Sequence, residues 1–138
     1  MRILAIDPGE RHLGAAVCDP GGVVARPLAS FAHTSREQDA ARIAALAASQ
    51  QAELILIGLA LDARDEHGPQ ARRAERLARA VRALTALPVE LHDESFSSAI
   101  AAQHMLTAGR KRRQRREQIH AVAAAAILQS YLDARPHA

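Results

Sequence analysis

The stretch Ile3-Leu4-Ala5-Ile6-Asp7-Pro8-Gly9 decides how the rest of this sequence is interpreted. Residues 3–6 have the length and branching of a buried strand, and the Pro-Gly pair is a turn signal that ends it. Asp7 therefore lies at the C-terminal end of a strand, the edge of an open α/β sheet where ligands bind and where a carboxylate can hold a cation. The alternative is that Asp7 only begins an Asx turn, with its side chain bonded to the backbone.

The length of 138 residues predicts a single domain, residues 1–138, whose core needs no covalent staples. Cys18, the only cysteine, stands in an apolar stretch and is expected in the core, so a reducing compartment fits. No basic-then-apolar signal precedes the first strand, and the longest apolar run, residues 121–128, falls far below the roughly 20 residues that cross a bilayer. The sequence therefore predicts a cytoplasmic protein with no membrane partner.

The charged residues point to a nucleic-acid partner. The formal net charge is +3, and Lys111 is the only lysine among the 18 Lys and Arg residues. The arginine fork suits phosphate, although a chain so rich in Ala and Arg can also reflect a GC-rich coding sequence. Aromatic residues make up only 2% of the chain, which leaves little to stack bases on. We therefore expect any nucleic acid to be bound through its backbone.

Periodicity and turn signals divide the chain into nine predicted elements. A capping pattern at Thr34-Ser35 marks the first helix. The predicted strands are residues 2–6, 13–18, 23–31, 54–59 and 89–92, and the later helices are residues 70–86, 97–107 and 117–134, with a basic linker over residues 109–116. The order β-β-β-α-β-α-β-α-α is that of the ribonuclease H-like fold. It predicts an α/β protein with a five-stranded mixed sheet, in which the first three strands are antiparallel, the fourth and fifth run parallel to the first, and about four helices flank the sheet.

The second predicted helix is amphipathic, with an apolar face and an arginine face. The residues expected to point inward are Leu77, Val81 and Leu84, and those on the other face are Arg72, Arg76 and Arg79. The arginine face would add to the surface that follows a nucleic-acid backbone.

Two further acids, Asp93 and Glu94, directly follow the fifth predicted strand. If that strand runs parallel to the first, both acids open onto the same crevice as Asp7. Carboxylates that converge there repel one another unless a cation neutralises them, and oxygen ligands suit Mg²⁺ or Mn²⁺, the ions of in-line phosphoryl transfer. The alternative is that an acid before a helix only complements the helix dipole, which accounts for one acid better than for two.

The segment Gly109–Arg116 is the strongest electrostatic feature of the chain. Its cationic side chains are Arg110, Lys111, Arg112, Arg113, Arg115 and Arg116. Such a run can be a solvated linker, but this one leads into the last helix beside the proposed acidic crevice, so we expect it to bind a phosphate backbone. His120 follows in the first turn of that helix among small neighbours, where a lone histidine is more often surface or core than a ligand.

Four blocks of the sequence together resemble one known family. They are Asp-Pro-Gly-Glu-Arg-His-Leu-Gly-Ala-Ala-Val over residues 7–17, Ile-Gly-Leu-Ala-Leu over residues 57–61, His-Asp-Glu-Ser over residues 92–95, and Ile-His-Ala-Val-Ala-Ala-Ala-Ala-Ile-Leu-Gln-Ser-Tyr-Leu over residues 119–132. In this order they resemble the YqgF/RuvX family, a bacterial branch of the ribonuclease H-like superfamily related to RuvC. Its members are described as nucleases that mature the 16S rRNA precursor and were once described as Holliday junction resolvases.

The resemblance implies catalytic roles for Asp7, Asp93, Glu94 and His120, with the metal held by Asp7, Glu94 and His120. At position 120 the family usually has Asp. Because imidazole replaces a carboxylate there, the resemblance implies that Mn²⁺ is favoured over Mg²⁺. Position 95 also departs from the family, since serine replaces a usual arginine and removes one phosphate contact. Arg11 in the first turn is expected to supply another.

The implied function is a divalent-metal-dependent nuclease that acts on RNA in preference to DNA during maturation of the 16S rRNA precursor. One alternative is a Holliday junction resolvase, which needs a dimer with two opposed active sites, whereas we expect a monomer. A second is a non-catalytic RNA-binding factor of ribosome assembly. A third, a fragment of an actin-like ATPase, is disfavoured because the chain is too short for the two lobes that enclose ATP.

Overall fold

The computed structural model describes residues 1–59, 68–93 and 112–135, apart from the side chains of residues 112–117. Within these residues it has five strands and three helices. They are β1 (Ile3–Pro8), β2 (His12–Cys18), β3 (Ala25–Ala32), α1 (Arg36–Ser49), β4 (Leu54–Leu59), α2 (Pro69–Arg82), β5 (Val89–Asp93) and α3 (Arg112–Ala134). The predicted helix over residues 97–107 lies outside the described residues, as do Glu94, Arg110 and Lys111.

The strands form one mixed sheet in the order β3-β2-β1-β4-β5. β1 pairs antiparallel with β2, and β2 pairs antiparallel with β3, which is the predicted meander. β1 pairs parallel with β4, and β4 pairs parallel with β5. The predicted mixed sheet is therefore confirmed, and the C-terminal ends of β1, β4 and β5 open at one edge.

The central strands β1 and β4 are apolar on both faces, as strands covered by helices on both sides must be. One face packs under α1 and α2 in a core that includes Leu4 and Ile57. The opposite face packs under α3 in a second core that includes Ile3, Leu56 and Cys18. The predicted core position of Cys18 is thus confirmed. Among the described residues, α1 and α2 cover the first core and α3 covers the second.

Strand β1 continues past its predicted end at residue 6 and includes both Asp7 and Pro8. Asp7 pairs with Gly14, and Pro8 pairs with Leu13 across the β1–β2 hairpin. Asp7 therefore lies in the last paired part of the strand, where backbone pairing fixes the direction of its side chain.

The ends of α1 and α2 follow from local hydrogen bonds. The Ser35 hydroxyl accepts the amide N–H of Gln38 at 3.1 Å, which is the predicted cap of α1. Helix α2 ends before the predicted residue 86, because a turn closes over its last carbonyls and the Leu84 amide donates to the carbonyl of Val81. The prediction that Leu84 points inward is wrong, since it follows this turn and is 54% exposed.

Helix α3 begins at Arg112 rather than at the predicted residue 117. Residues 112–116 contain only Arg and Gln, which are good helix formers, and lack Gly or Pro to interrupt the helix. The prediction of a linker over residues 109–116 is therefore wrong from Arg112 onward. Although α3 has 23 residues, no helix in the described part of the chain is long and apolar enough to cross a membrane.

The backbone of α3 lies directly on β2 at Gly14. A Cβ built on Gly14 would lie 1.9 Å from the carbonyl oxygen of His120 and 2.5 Å from the amide nitrogen of Ala121. Only glycine leaves room for so close an approach. Because Gly14 is also the strand partner of Asp7, this contact places the His120 turn of α3 over the C-terminal end of β1.

We expect Gly14→Ala to lower the free energy of unfolding by about 1–3 kcal/mol, because the added methyl group forces α3 away from the sheet. Urea denaturation measures the change. Gly68→Ala is the matched control, since a Cβ there meets nothing within 4 Å and its change at the start of α2 should stay under about 1 kcal/mol. A Gly14→Ala protein as stable as the wild type would contradict the close packing.

Candidate functional site

Asp7 is the buried carboxylate at the open edge of the sheet. Its residue is 5% exposed, and in the described part of the chain only Asp39 is another buried charged residue. Strand alternation puts Asp7 on the same face as Ile3 and Ala5, the face that α3 covers. The fold therefore buries a carboxylate beneath the part of α3 around His120. The prediction that His120 lies in the first turn of this helix is wrong, because the helix begins eight residues earlier, at Arg112.

His120 in α3 is the side chain that reaches Asp7. Its Nδ1 lies 3.3 Å from Oδ2 of Asp7, and its side chain is 32% exposed. The ring stacks on His12 with centroids 5.9 Å apart and planes 20° from parallel. A Cβ on Gly9 would lie 3.1 Å from Cε1 of His120 and 2.2 Å from the carbonyl oxygen of His12, so only glycine fits here. The predicted pair of Asp7 and His120 is thus brought together, 113 positions apart in sequence.

The Asp7 carboxylate has fewer hydrogen bonds to the described residues than its burial requires. Two carboxylate oxygens offer about four acceptor sites, yet in the described residues the contact with His120 is the one hydrogen bond recorded for this side chain. Asp39, equally buried, differs: one oxygen is bonded to the ring of His33, and the other accepts the amide N–H of Thr34 at 3.2 Å. The structure therefore satisfies one buried carboxylate and leaves Oδ1 of the other without a partner among the described residues.

This donor arrangement fits a divalent cation. Ligand atoms that sit side by side on an octahedral ion with bonds near 2.1 Å are about 3 Å apart, close to the 3.3 Å between Nδ1 of His120 and Oδ2 of Asp7. A carboxylate with an imidazole is a donor set that transition-metal ions accept. Across residues 1–59, 68–93 and 112–135, no group of three His, Cys, Asp or Glu side chains forms a complete metal site. The described residues therefore bring together two possible metal donors, Asp7 and His120.

Asp93 lies at the same edge of the sheet as Asp7 but belongs to the other face. It pairs with Leu59, which packs against the core beneath α1 and α2. Because the side chains of a strand alternate, Asp93 shares the face of Leu91 and faces away from the Asp7 side. In this register Asp93 and Asp7 lie on opposite faces of the sheet, and a role for Asp93 in the site stays a prediction. Glu94, the next residue, lies outside the described residues.

His92 shares the Asp7 face of the sheet and is engaged in packing. Its ring meets Tyr131 of α3 edge-on, with centroids 5.5 Å apart. The Tyr131 hydroxyl donates to the Glu90 carboxylate at 2.8 Å, and burial together with this carboxylate raises the pKa of Tyr131. These contacts hold α3 against the outer strand β5.

The predicted cationic side chains are only partly described. Arg11 is exposed in the β1–β2 turn, and its backbone carbonyl accepts the amide N–H of His33. The predicted arginine face of α2 is confirmed as exposed: Arg72, Arg76 and Arg79. Of the basic run, residues 112–116 lie in the first turns of α3, and their side chains lie outside the described part.

Two functional features of the site were not predicted from the sequence. The stacking of His12 on His120 joins side chains that no periodic pattern relates. The close approach at Gly14 has no signal beyond a glycine inside a strand, which by itself indicates that another backbone is near.

Sequence comparison relates the chain to one family. A family model described as "RuvX: Holliday junction resolvase" matches residues 1–134. A Chloroflexus aggregans protein named "Putative pre-16S rRNA nuclease" is 41% identical over 133 residues, which cover 96% of this chain and 94% of that protein. Proteins of the same name from Chloroflexus aurantiacus and Syntrophomonas wolfei are 38% and 35% identical, each match covering 96% of this chain and 87% and 94% of theirs.

Structure comparison agrees on the fold. T. thermophilus RuvC in complex with a Holliday junction substrate has a TM-score of 0.60 at 20% identity and covers 98% of this chain and 96% of its own. The fowlpox virus Holliday junction resolvase has a TM-score of 0.60 at 12% identity, with 98% and 100% covered. The predicted ribonuclease H-like fold is therefore confirmed.

Among the described residues, Asp39 is more completely hydrogen-bonded than Asp7, so the same substitution should change the free energy of unfolding in opposite directions. In EDTA, Asp7→Asn should raise the free energy of unfolding by about 1 kcal/mol, because the amide removes an incompletely paired buried charge. Asp39→Asn should lower it by about 2 kcal/mol, because it replaces charge-assisted hydrogen bonds. Urea denaturation compares the two. Equal losses in both variants would contradict this assignment and show that the Asp7–His120 pair stabilises the fold.

Proposed function

This chain belongs to the RuvX family, and from that membership we propose that it is a divalent-metal-dependent nuclease that hydrolyses phosphodiester bonds of RNA in 16S rRNA precursor maturation. The names of its relatives support the substrate, and their matches extend over nearly the whole chain. Such a nuclease acts where ribosomes are made, so we place the protein in the cytoplasm.

The observation that carries this proposal is the buried Asp7 carboxylate with the His120 imidazole 3.3 Å away at the open edge of the sheet. Buried charge with an unused acceptor is costly for the fold unless a ligand compensates it. A cation is the ligand that a carboxylate and a neutral imidazole share.

We assign the metal to Asp7, Glu94 and His120, with Mn²⁺ favoured over Mg²⁺ because one of the ligands is an imidazole. When bound, a divalent cation supplies Lewis acidity at the scissile phosphate and lowers the pKa of an attacking water. For Asp93, at the end of β5 and on the other face of the sheet, we propose that it orients a ligand rather than binding the metal itself.

The chain's own residues fix and orient the site. Strand pairing holds Asp7, so its carboxylate does not have to be ordered when substrate binds. The His12 ring stacks on His120 and limits its rotation. Gly9 lets the β1–β2 turn pass close to the His120 ring, since a Cβ there would lie 2.2 Å from the carbonyl oxygen of His12 and 3.1 Å from Cε1 of His120. Arg11 and the basic residues 110–116 would hold the phosphate backbone on either side of the bond to be cut.

Two alternative functions have support from particular observations. The description of the family model favours a Holliday junction resolvase, which would act as a dimer on branched DNA, whereas we propose a monomer. The histidine at position 120 favours a non-catalytic RNA-binding factor, because it removes one negative charge from the metal site. Cleavage of defined substrates separates these functions.

We expect Asp7→Asn to reduce cleavage at least about 100-fold, the scale of losing one fixed electrostatic contact in an active site, while RNA binding persists. The measurement is cleavage of labelled single-stranded RNA, with DNA and a four-way junction alongside, in Mg²⁺ and in Mn²⁺. Asp133→Asn, which changes an exposed carboxylate near the end of α3, is the control. Undiminished cutting by Asp7→Asn would refute the metal role, and junction cutting alone would favour the resolvase.

We expect His120→Asp to shift the metal preference toward Mg²⁺ by about tenfold or more, because a carboxylate replaces the imidazole. The shift is read as the rise in unfolding temperature with each ion, and independently as cleavage rate. His92→Gln serves as the control, since His92 packs on Tyr131 and should leave the preference unchanged. If the ratio of Mn²⁺ to Mg²⁺ response is the same in both variants, His120 does not ligate the metal.

A further inference from the structure

A cavity lies on the side of the β1–β2 turn opposite to His120. Its volume is about 190 Å³, and it opens between the turn, the start of α1 and the side of α2. Gly9 lines it on the turn, His33 and Arg36 line it at the start of α1, and Arg73 lines it on α2. The same glycine therefore borders both the candidate metal site and this cavity.

The cavity is cationic, and its two arginines make few interactions with the other described residues. Arg36 is exposed, and among the described residues its side chain has no recorded ion pair or hydrogen bond. Arg73 is paired with Glu10 at 3.5 Å, with both side chains exposed by 38% and 69%. Exposed pairs of this kind contribute little, so a better anion would displace Glu10.

Asp39 also lines the cavity, but its negative charge does not offset the positive charge that a bound anion would meet. Its oxygens are bonded to His33 and to Thr34, so its charge is compensated locally. His33 uses Nδ1 for this bond, which leaves Nε2 for a ligand in the cavity. The start of α1 beside Arg36 adds the positive end of a helix dipole.

We infer that this cavity binds a phosphate group of the nucleic-acid strand, held by Arg36, Arg73 and His33. The inference rests on the proposed function and adds a second contact to its substrate. Gly9 lines the cavity and is two residues from Asp7 in sequence, so a strand bound at the candidate metal site can also reach the cavity.

The test compares charge-matched variants in an Asp7→Asn background, where RNA is bound and not cut. Arg36→Gln should weaken binding of labelled single-stranded RNA three- to tenfold, and it should reduce the slope of log K against log salt by about 0.7. Glu10→Gln should strengthen binding, because it frees Arg73. Arg26→Gln is the control, since Arg26 is exposed at the opposite end of the sheet, where it pairs with Val17. Anisotropy titrations at several salt concentrations give both quantities.

A second arm distinguishes the backbone phosphate from free phosphate. Inorganic phosphate should compete with RNA for the wild-type cavity more strongly than chloride at equal ionic strength, and Arg36→Gln should remove that difference. RNA binding that is equal in Arg36→Gln and Arg26→Gln overturns the inference. Phosphate binding that depends on Arg36 with unchanged RNA affinity overturns it in favour of a free anion.

Failure of the inference and failure of the proposed function are separable. Cleavage of RNA by protein with Asp7 intact tests the function without reference to Arg36. If RNA is cut and Arg36→Gln binds as tightly as the wild type, the inference fails and the function stands. If RNA is not cut by any variant and Arg36→Gln still weakens binding, the nuclease proposal fails and the cavity remains an RNA contact.

Discussion

The contact between Gly14 and the backbone of α3 is the constraint on which the candidate site depends. The helix comes so close to β2 that a Cβ on Gly14 would lie 1.9 Å from the carbonyl oxygen of His120. Because Gly14 is also the strand partner of Asp7, this contact fixes the distance between the His120 turn of the helix and the Asp7 carboxylate. Nδ1 of His120 lies 3.3 Å from Oδ2 of Asp7, so a shift of the helix by the width of a methyl group would break this contact.

The β1–β2 turn has two chemically different sides, because different helices pack on the two faces of the sheet. On the α3 side, His120 and His12 line the edge beside Asp7, and an imidazole can bind a metal ion or donate a proton. On the side of α1 and α2, two helix surfaces meet and contribute arginines to a cavity. A strand of nucleic acid that crossed the turn would lie beside Asp7 and His120 on one side and beside the arginines of the cavity on the other.

Local patterns predicted most of the elements and the Ser35 cap, because apolar runs and capping depend on residues close in sequence. The pairing of the strands joins distant residues, and it was predicted from the ribonuclease H-like order of the elements. The start of α3 was missed because a run of charge is compatible with both a linker and a helix, and arginine favours helix once Gly and Pro are absent. For the site, the sequence predicted which side chains reach the edge of the sheet. It did not predict their faces, since Asp93 belongs to β5 itself and alternation turns it away from Asp7.

The two buried carboxylates show why the site could not be predicted from local sequence. Asp39 finds its partners five and six residues away, so the segment around the start of α1 satisfies it. Asp7 finds His120 only across 113 positions, after α3 has docked, and among the described residues its other oxygen still has no partner. A fold optimised for stability alone would satisfy this charge, and the penalty of leaving it is retained most often where a ligand completes the group. The incomplete pairing of Asp7 in an otherwise well-packed sheet is therefore the physical reason to expect a cation there.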